Sequence, residues 1–171
     1  MAQQYAWNMR DDHVSSDRSA IMTNTMQVLI VEDEMLLAMD MEAMVEDSGH
    51  RVLAEAASLH DVEALPDDLN PQLAFVDIHL AHGSSGLDVC RYIRTHWPDA
   101  LIVFVTANVS KIPADFSGAH GVIAKPFSHA GVVNAINYLA NGVFAPPPSM
   151  PRPASLIPSP SLEGRWARTV A

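Results

Sequence analysis

Five short apolar runs divide the chain: Gln27–Val31, Arg51–Ala57, Gln72–Val76, Leu101–Val105 and Gly121–Ala124. Each is short, mostly apolar and bounded by polar or turn-forming residues, so each reads as a buried strand. The segments between them carry a different period. Over Met35–Ser48, Leu37, Met41, Met44 and Val45 share one face while Asp40, Glu42, Glu46 and Asp47 lie elsewhere, and Gly49 follows as a C-cap. Leu59–Leu65 predicts a short helix that Pro66 stops. Gly86–Trp97 predicts another, with Leu87, Cys90, Ile93 and Trp97 inward and Pro98 as the stop. Ser128 caps a last helix running to Asn141, with Val132, Ile136 and Leu139 inward. Between the fourth and fifth strands, Pro113, Gly118 and Gly121 limit any helix to a turn or two. Strands alternating with helices predict an α/β fold: a doubly wound, five-stranded parallel sheet with right-handed crossovers and a shortened fourth helix.

The pattern also sets boundaries. Residues 1–26 have no sustained period and read as a flexible N-terminal arm, in which Asp11, Asp12 and His13 are expected to be solvated rather than metal-bound. Residues 27–142 form the domain. Residues 143–171, rich in proline from Pro146 to Pro160, read as a disordered tail, with one basic turn around Trp166.

Composition narrows the function. The 171 residues are 49% hydrophobic, enough for a real core. No stretch approaches a membrane span, and the N-terminus lacks a secretory apolar region. Cys90 is the single cysteine, which excludes an internal disulfide and a cysteine metal cluster. On its helical face it reads as a packed thiol, and the protein is expected in the cytoplasm. The net charge is −10, concentrated in residues 27–142, and argues against direct DNA binding, which needs Lys and Arg at phosphates.

The polar residues that close the strands then acquire meaning. Glu32 and Asp33 follow the first strand, Asp77 the third, Thr106 the fourth and Lys125 the fifth. In open α/β sheets ligands bind at the carboxyl ends of the strands. Carboxylates about 4 Å apart repel by roughly 4 kcal/mol per pair at an effective dielectric of about 20, so they stay ionised only around a cation. An oxygen-rich site suits Mg²⁺. With Lys125 as a further charge and Thr106 as a donor, such a site fits phosphoryl transfer to a carboxylate, giving an aspartyl phosphate. No G-x-x-x-x-G-K-[ST], G-x-G-x-x-G or H-E-x-x-H competes.

Residues 27–142 resemble the receiver domain of two-component response regulators. The resemblance rests on Val28-Leu29-Ile30-Val31-Glu32-Asp33-Glu34, Phe75-Val76-Asp77, Val103-Phe104-Val105-Thr106-Ala107 and Ile123-Ala124-Lys125-Pro126-Phe127. Asp33, Asp77, Thr106 and Lys125 follow one another at separations of 44, 29 and 19 residues. It implies the flavodoxin-like receiver fold. It implies that Asp77 accepts a phosphoryl group from a histidine kinase. It also implies that Asp33, Asp77 and the carbonyl of His79 hold Mg²⁺, that Glu32 acts through a water, that Lys125 contacts the phosphoryl group, and that the Lys125–Pro126 bond is cis.

Three departures qualify it. The loop Asp77–Asp88 is longer than usual and is similar to that of alphaproteobacterial stress-response receivers, whose preceding sigma-factor-like domain is expected to be absent here. Val122 stands where an aromatic switch residue is usual, so residues 107–120 are expected to change order on phosphorylation instead. His79 and Asn108 flank the centre, at positions that tune phosphoryl hydrolysis in the family; His79 and His82 read as solvent-facing. The expectation is a stand-alone response regulator, monomeric or weakly dimeric, that is not itself an enzyme. It signals to an unknown downstream protein by phosphorylation-dependent binding, or drains phosphate. The alternatives are a receiver-like adaptor that binds a kinase without phosphotransfer, and a Mg²⁺-dependent phosphohydrolase, for which no second acid/base carboxylate stands at the expected spacing.

Overall fold

The structure, a computed structural model, describes residues 24–167. The acidic pair Asp11 and Asp12 with His13 lies outside them. The elements run β1 (Gln27–Val31), α1 (Met35–Asp47), β2 (Arg51–Ala56), α2 (Leu59–Glu63), β3 (Leu73–Val76), α3 (Gly86–His96), β4 (Leu101–Thr106), β5 (Gly121–Ala124), α4 (His129–Phe144), β6 (Leu156–Pro158) and α5 (Pro160–Ala167). The strand order is β2-β1-β3-β4-β5-β6, parallel throughout except for β6, which runs antiparallel to β5. This is the predicted doubly wound α/β sheet, with six strands rather than five.

Side-chain alternation along the strands builds two cores. Val28, Ile30, Leu73, Phe75, Leu101, Val103 and Ile123 face α1 and α4, joining Met41, Val45, Val132 and Ile136. Leu29, Val31, Ala74, Val76, Ile102, Phe104 and Val122 face the other layer, with Val62 of α2 and Val89, Cys90 and Ile93 of α3. The thiol of Cys90 is buried and donates to the Ser117 carbonyl, and burial pushes it up to about 11. Serine caps start three helices: Ser58, Ser85 and Ser128 accept from Asp61, Leu87 and Gly131.

Residues 107–120 hold two 3₁₀ turns, Val109–Lys111 and Phe116–Gly118, separated by Pro113, in keeping with the limit of a turn or two. The expectation that fails is the tail. Residues 145–167 are not disordered; they return to the sheet. Leu156 pairs with Ile123 and Ile157 with Val122, extending the sheet beyond β5. Leu156, Leu162 and Trp166 are buried in the α1–α4 core, and Trp166 meets Tyr138 edge to face at 5.3 Å. The prolines occupy the connection and the ends of these elements, where a missing N–H costs no ladder hydrogen bond.

Candidate functional site

The strand register places the polar termini together. Val31 pairs with Val76, Val76 with Phe104, and Thr106 with Ala124, so Glu32, Asp77, Thr106 and Lys125 leave the sheet at one edge. Asp33, Asp77, His79, Thr106, Asn108 and Lys125 line one open cavity of about 320 Å³. Glu32 lies behind it, buried.

Lys125 is the hub. Its ammonium donates to Asp77 Oδ2 at 2.6 Å and to Glu32 Oε2 at 2.7 Å. Burial opposes its charge, but the hydrogen bonds to Asp77 and Glu32 outweigh that and hold it above its ordinary value. Burial pushes the Glu32 carboxyl up, and Lys125 offsets only part of this. The backbone fixes the rest. Asp77 N–H donates to the Val31 carbonyl, His79 N–H to Asp77 Oδ1, and Asn108 N–H to Thr106 Oγ1. The Lys125–Pro126 bond is cis. Gly86 presses against the other side of the centre. A Cβ there would stand 2.0 Å from the Asp77 carbonyl oxygen, so only glycine lets α3 start this close.

Carboxylate oxygens of Glu32, Asp33 and Asp77 all lie within 4.8 Å of one another. Three hard oxygen donors, one of them on the exposed Asp33, fit a cation that keeps several waters, which is the habit of Mg²⁺. The six residues singled out from the sequence thus converge. One was missed: Lys111, on the turn after β4, whose ammonium lies 2.9 Å from His79 Nε2. His79 is exposed but is tethered rather than free. The pairing joins loops 32 residues apart, and the only hint in the sequence is that Lys111 is one of two lysines.

A parallel doubly wound sheet with an acidic cluster, a threonine and a lysine at its carboxyl edge is a flavodoxin-like α/β fold. The family model for the response regulator receiver domain matches residues 28–137, and the chain belongs to that family. Within it, the chain is 36% identical over 113 residues to the phyllosphere-induced regulator PhyR of Methylorubrum extorquens, covering 65% of this chain and 42% of PhyR. It is 29% identical to the chemotaxis protein CheY of Thermotoga maritima, covering 65% of this chain and 94% of CheY. The receiver domain of Erythrobacter litoralis PhyR superposes with a TM-score of 0.60 at 30% identity, covering 67% of this chain and 89% of that one. Brucella abortus PhyR gives 0.55 at 32%, covering 68% of this chain and 47% of that one. The chain thus spans less than half of the Methylorubrum extorquens and Brucella abortus PhyR chains. Receiver domains belong to two-component systems, and phosphoaspartate and Mg²⁺ are typical of them.

Proposed function

We propose that this chain is a phosphoryl-accepting signalling switch with Asp77 as the acceptor. The observation that carries this reading is Lys125 bridging Asp77 and Glu32 in the cavity that also holds Asp33 and Thr106. An Asp77 carboxylate oxygen attacks the phosphorus of a kinase phosphohistidine; the P–N bond breaks, and its electron pair stays on the departing imidazole. Bound Mg²⁺, held by Asp33, Asp77 and the His79 carbonyl, would supply charge neutralisation at the phosphoryl oxygens. When Asp77 becomes an acyl phosphate, Lys125 loses one of its two carboxylate partners, keeps Glu32 and turns to the phosphoryl oxygens. Thr106 Oγ1, already oriented by the Asn108 N–H, donates to one of them. Water later cleaves the acyl phosphate, restoring Asp77 and releasing phosphate.

The domain is a switch or a phosphate sink rather than an enzyme acting on an outside substrate, and its input is a histidine kinase. Output goes through another protein rather than DNA, which the net charge of −10 supports. One relative from Bartonella quintana carries the description anti-anti-sigma factor, a precedent for protein output. The test is intact mass after incubation with acetyl phosphate and Mg²⁺. One phosphoryl group is expected on the native chain and none on Asp77→Asn. No addition to either, with beryllofluoride also unbound, would reduce the domain to an adaptor that binds without phosphotransfer.

A further inference from the structure

Two loops meet beside the cavity that holds Asp77. The loop after β3 is tied down at Asp77 itself, whose Oδ1 accepts from the His79 N–H, and by the backbone bridge between His79 and Ser85. The connection after β4 is tied down at Thr106, whose Oγ1 accepts from the Asn108 N–H; the Lys111 N–H then donates to the Asn108 carbonyl. Val109 and Ile112 pack against the core on the α3 side, so the turn that carries Lys111 has an apolar anchor. From these two footings the side chains meet: Lys111 Nζ stands 2.9 Å from His79 Nε2. His79 lines the Asp77 cavity and, together with Lys111, a neighbouring cavity of about 520 Å³.

The chemistry of this contact runs in one direction. An ammonium has three donors and no acceptor, so Nε2 is the acceptor and the neutral ring carries its proton on Nδ1. A neutral imidazole has a single acceptor nitrogen, and Lys111 uses it. That matters for the second half of the reaction cycle. In hydrolysis a water oxygen attacks phosphorus, the bond from phosphorus to the Asp77 oxygen breaks, its electron pair returns to the carboxylate, and the water gives up a proton. An imidazole at the rim with a free Nε2 would take that proton as a general base. A ring whose Nε2 already accepts from Lys111 has no lone pair to offer the water.

We infer that Lys111 is a positioning residue that lengthens the life of the phosphorylated state: it occupies Nε2 of His79 and holds the imidazole at the rim as a barrier to the attacking water rather than as its base. This role rests on Asp77 being the phosphoryl acceptor.

The test uses the full chain with Lys111→Met, His79→Ala and the two combined; both side chains are exposed, so these changes leave the core untouched. Each protein is phosphorylated with acetyl phosphate and Mg²⁺, freed of the reagent, and followed by intact mass as the phosphoryl group is lost. Lys111→Met should lose it about tenfold faster than the native chain, short of the roughly hundredfold or more given by a fully positioned general base. In the His79→Ala background Lys111→Met should change nothing, because no ring remains to be released. A second readout needs no phosphate. By NMR of protein carrying isotope-labelled histidine, His79, assigned by its loss in His79→Ala, should hold its proton on Nδ1, and Lys111→Met should move that proton toward Nε2. A native chain that takes up no phosphoryl group would remove the Asp77 reading and the role of Lys111 with it. A phosphorylated chain whose lifetime Lys111→Met leaves unchanged or lengthens, equal acceleration in the His79→Ala background, or a native His79 protonated on Nε2 would overturn the role of Lys111 alone.

Discussion

Lys125 faces three carboxylates with one positive charge, and that imbalance governs the energetics of single residues around it. Glu32 and Asp77 each receive a hydrogen bond from the ammonium, whereas Asp33 does not. Asp33 therefore adds repulsion without an ion-pair return. Asp33→Asn is expected to raise stability by about 1 kcal/mol in metal-free buffer. The gain should vanish in saturating Mg²⁺, because the native chain alone then gains binding free energy; urea unfolding with and without Mg²⁺ reads both. His120 makes a second prediction. Its folded value of about 4 lies below the usual 6.5, so between those pH values the unfolded chain binds more protons and stability rises with pH. Lowering the pH from 7 to 4 should cost about 3 kcal/mol at most through this group. His50, lowered by burial, acts in the same sense, and Glu32, raised by burial, in the opposite one. His120→Asn, which keeps an acceptor for the Ile102 N–H, should flatten the pH profile of Tm over that window.

Two segments without counterparts in the strand-helix alternation flank β5. The connection from β4 to β5 has only turns; Asn108 lines the site cavity and the exposed Lys111 reaches His79 beside it. Without a regular helix, the segment is suited to an order that responds to ligands. Amide exchange over residues 107–120 should slow when beryllofluoride and Mg²⁺ are added; unchanged exchange, with binding verified, would show that the signal leaves by another route. The C-terminal segment is held more firmly. Trp166 is 6% exposed and Leu162 fully buried, so Trp166→Ala should cost about 3 kcal/mol or more. Equilibrium denaturation measures this, and a cost under 1 kcal/mol would mean that α5 contributes little to the core.

At the scale of the whole molecule, the sheet and its reactive edge were legible because they are written locally. Apolar runs ending in Glu32, Asp77, Thr106 and Lys125 signal both the strand and the direction in which it exits. The alternation of Val28 and Ile30 against Leu29 and Val31 likewise foretells two cores. The returning tail was illegible for a physical reason. Its proline content is the usual mark of a chain that cannot bury enough to fold, and the compensating contacts of Leu156, Leu162 and Trp166 are with α4 and β5, far away in sequence. Spacing held a faint signal, since Leu162 and Trp166 are one helical turn apart. The Lys111–His79 contact was invisible for the same reason: it joins loops that only the tertiary fold brings together.

The placing of β6 has a consequence for solution behaviour. Without it, β5 would present a bare row of backbone donors and acceptors around the buried Val122 and Ile123, a template for any passing strand. With it, the outer rim ends in a three-residue strand closed by Pro158, which has no N–H to offer a further neighbour. The C-terminal segment thus acts as a hem that keeps the sheet from fraying into its neighbours. A chain stopped after Phe144 should self-associate with rising concentration where the longer chain does not, and sedimentation velocity across a concentration series would reveal it.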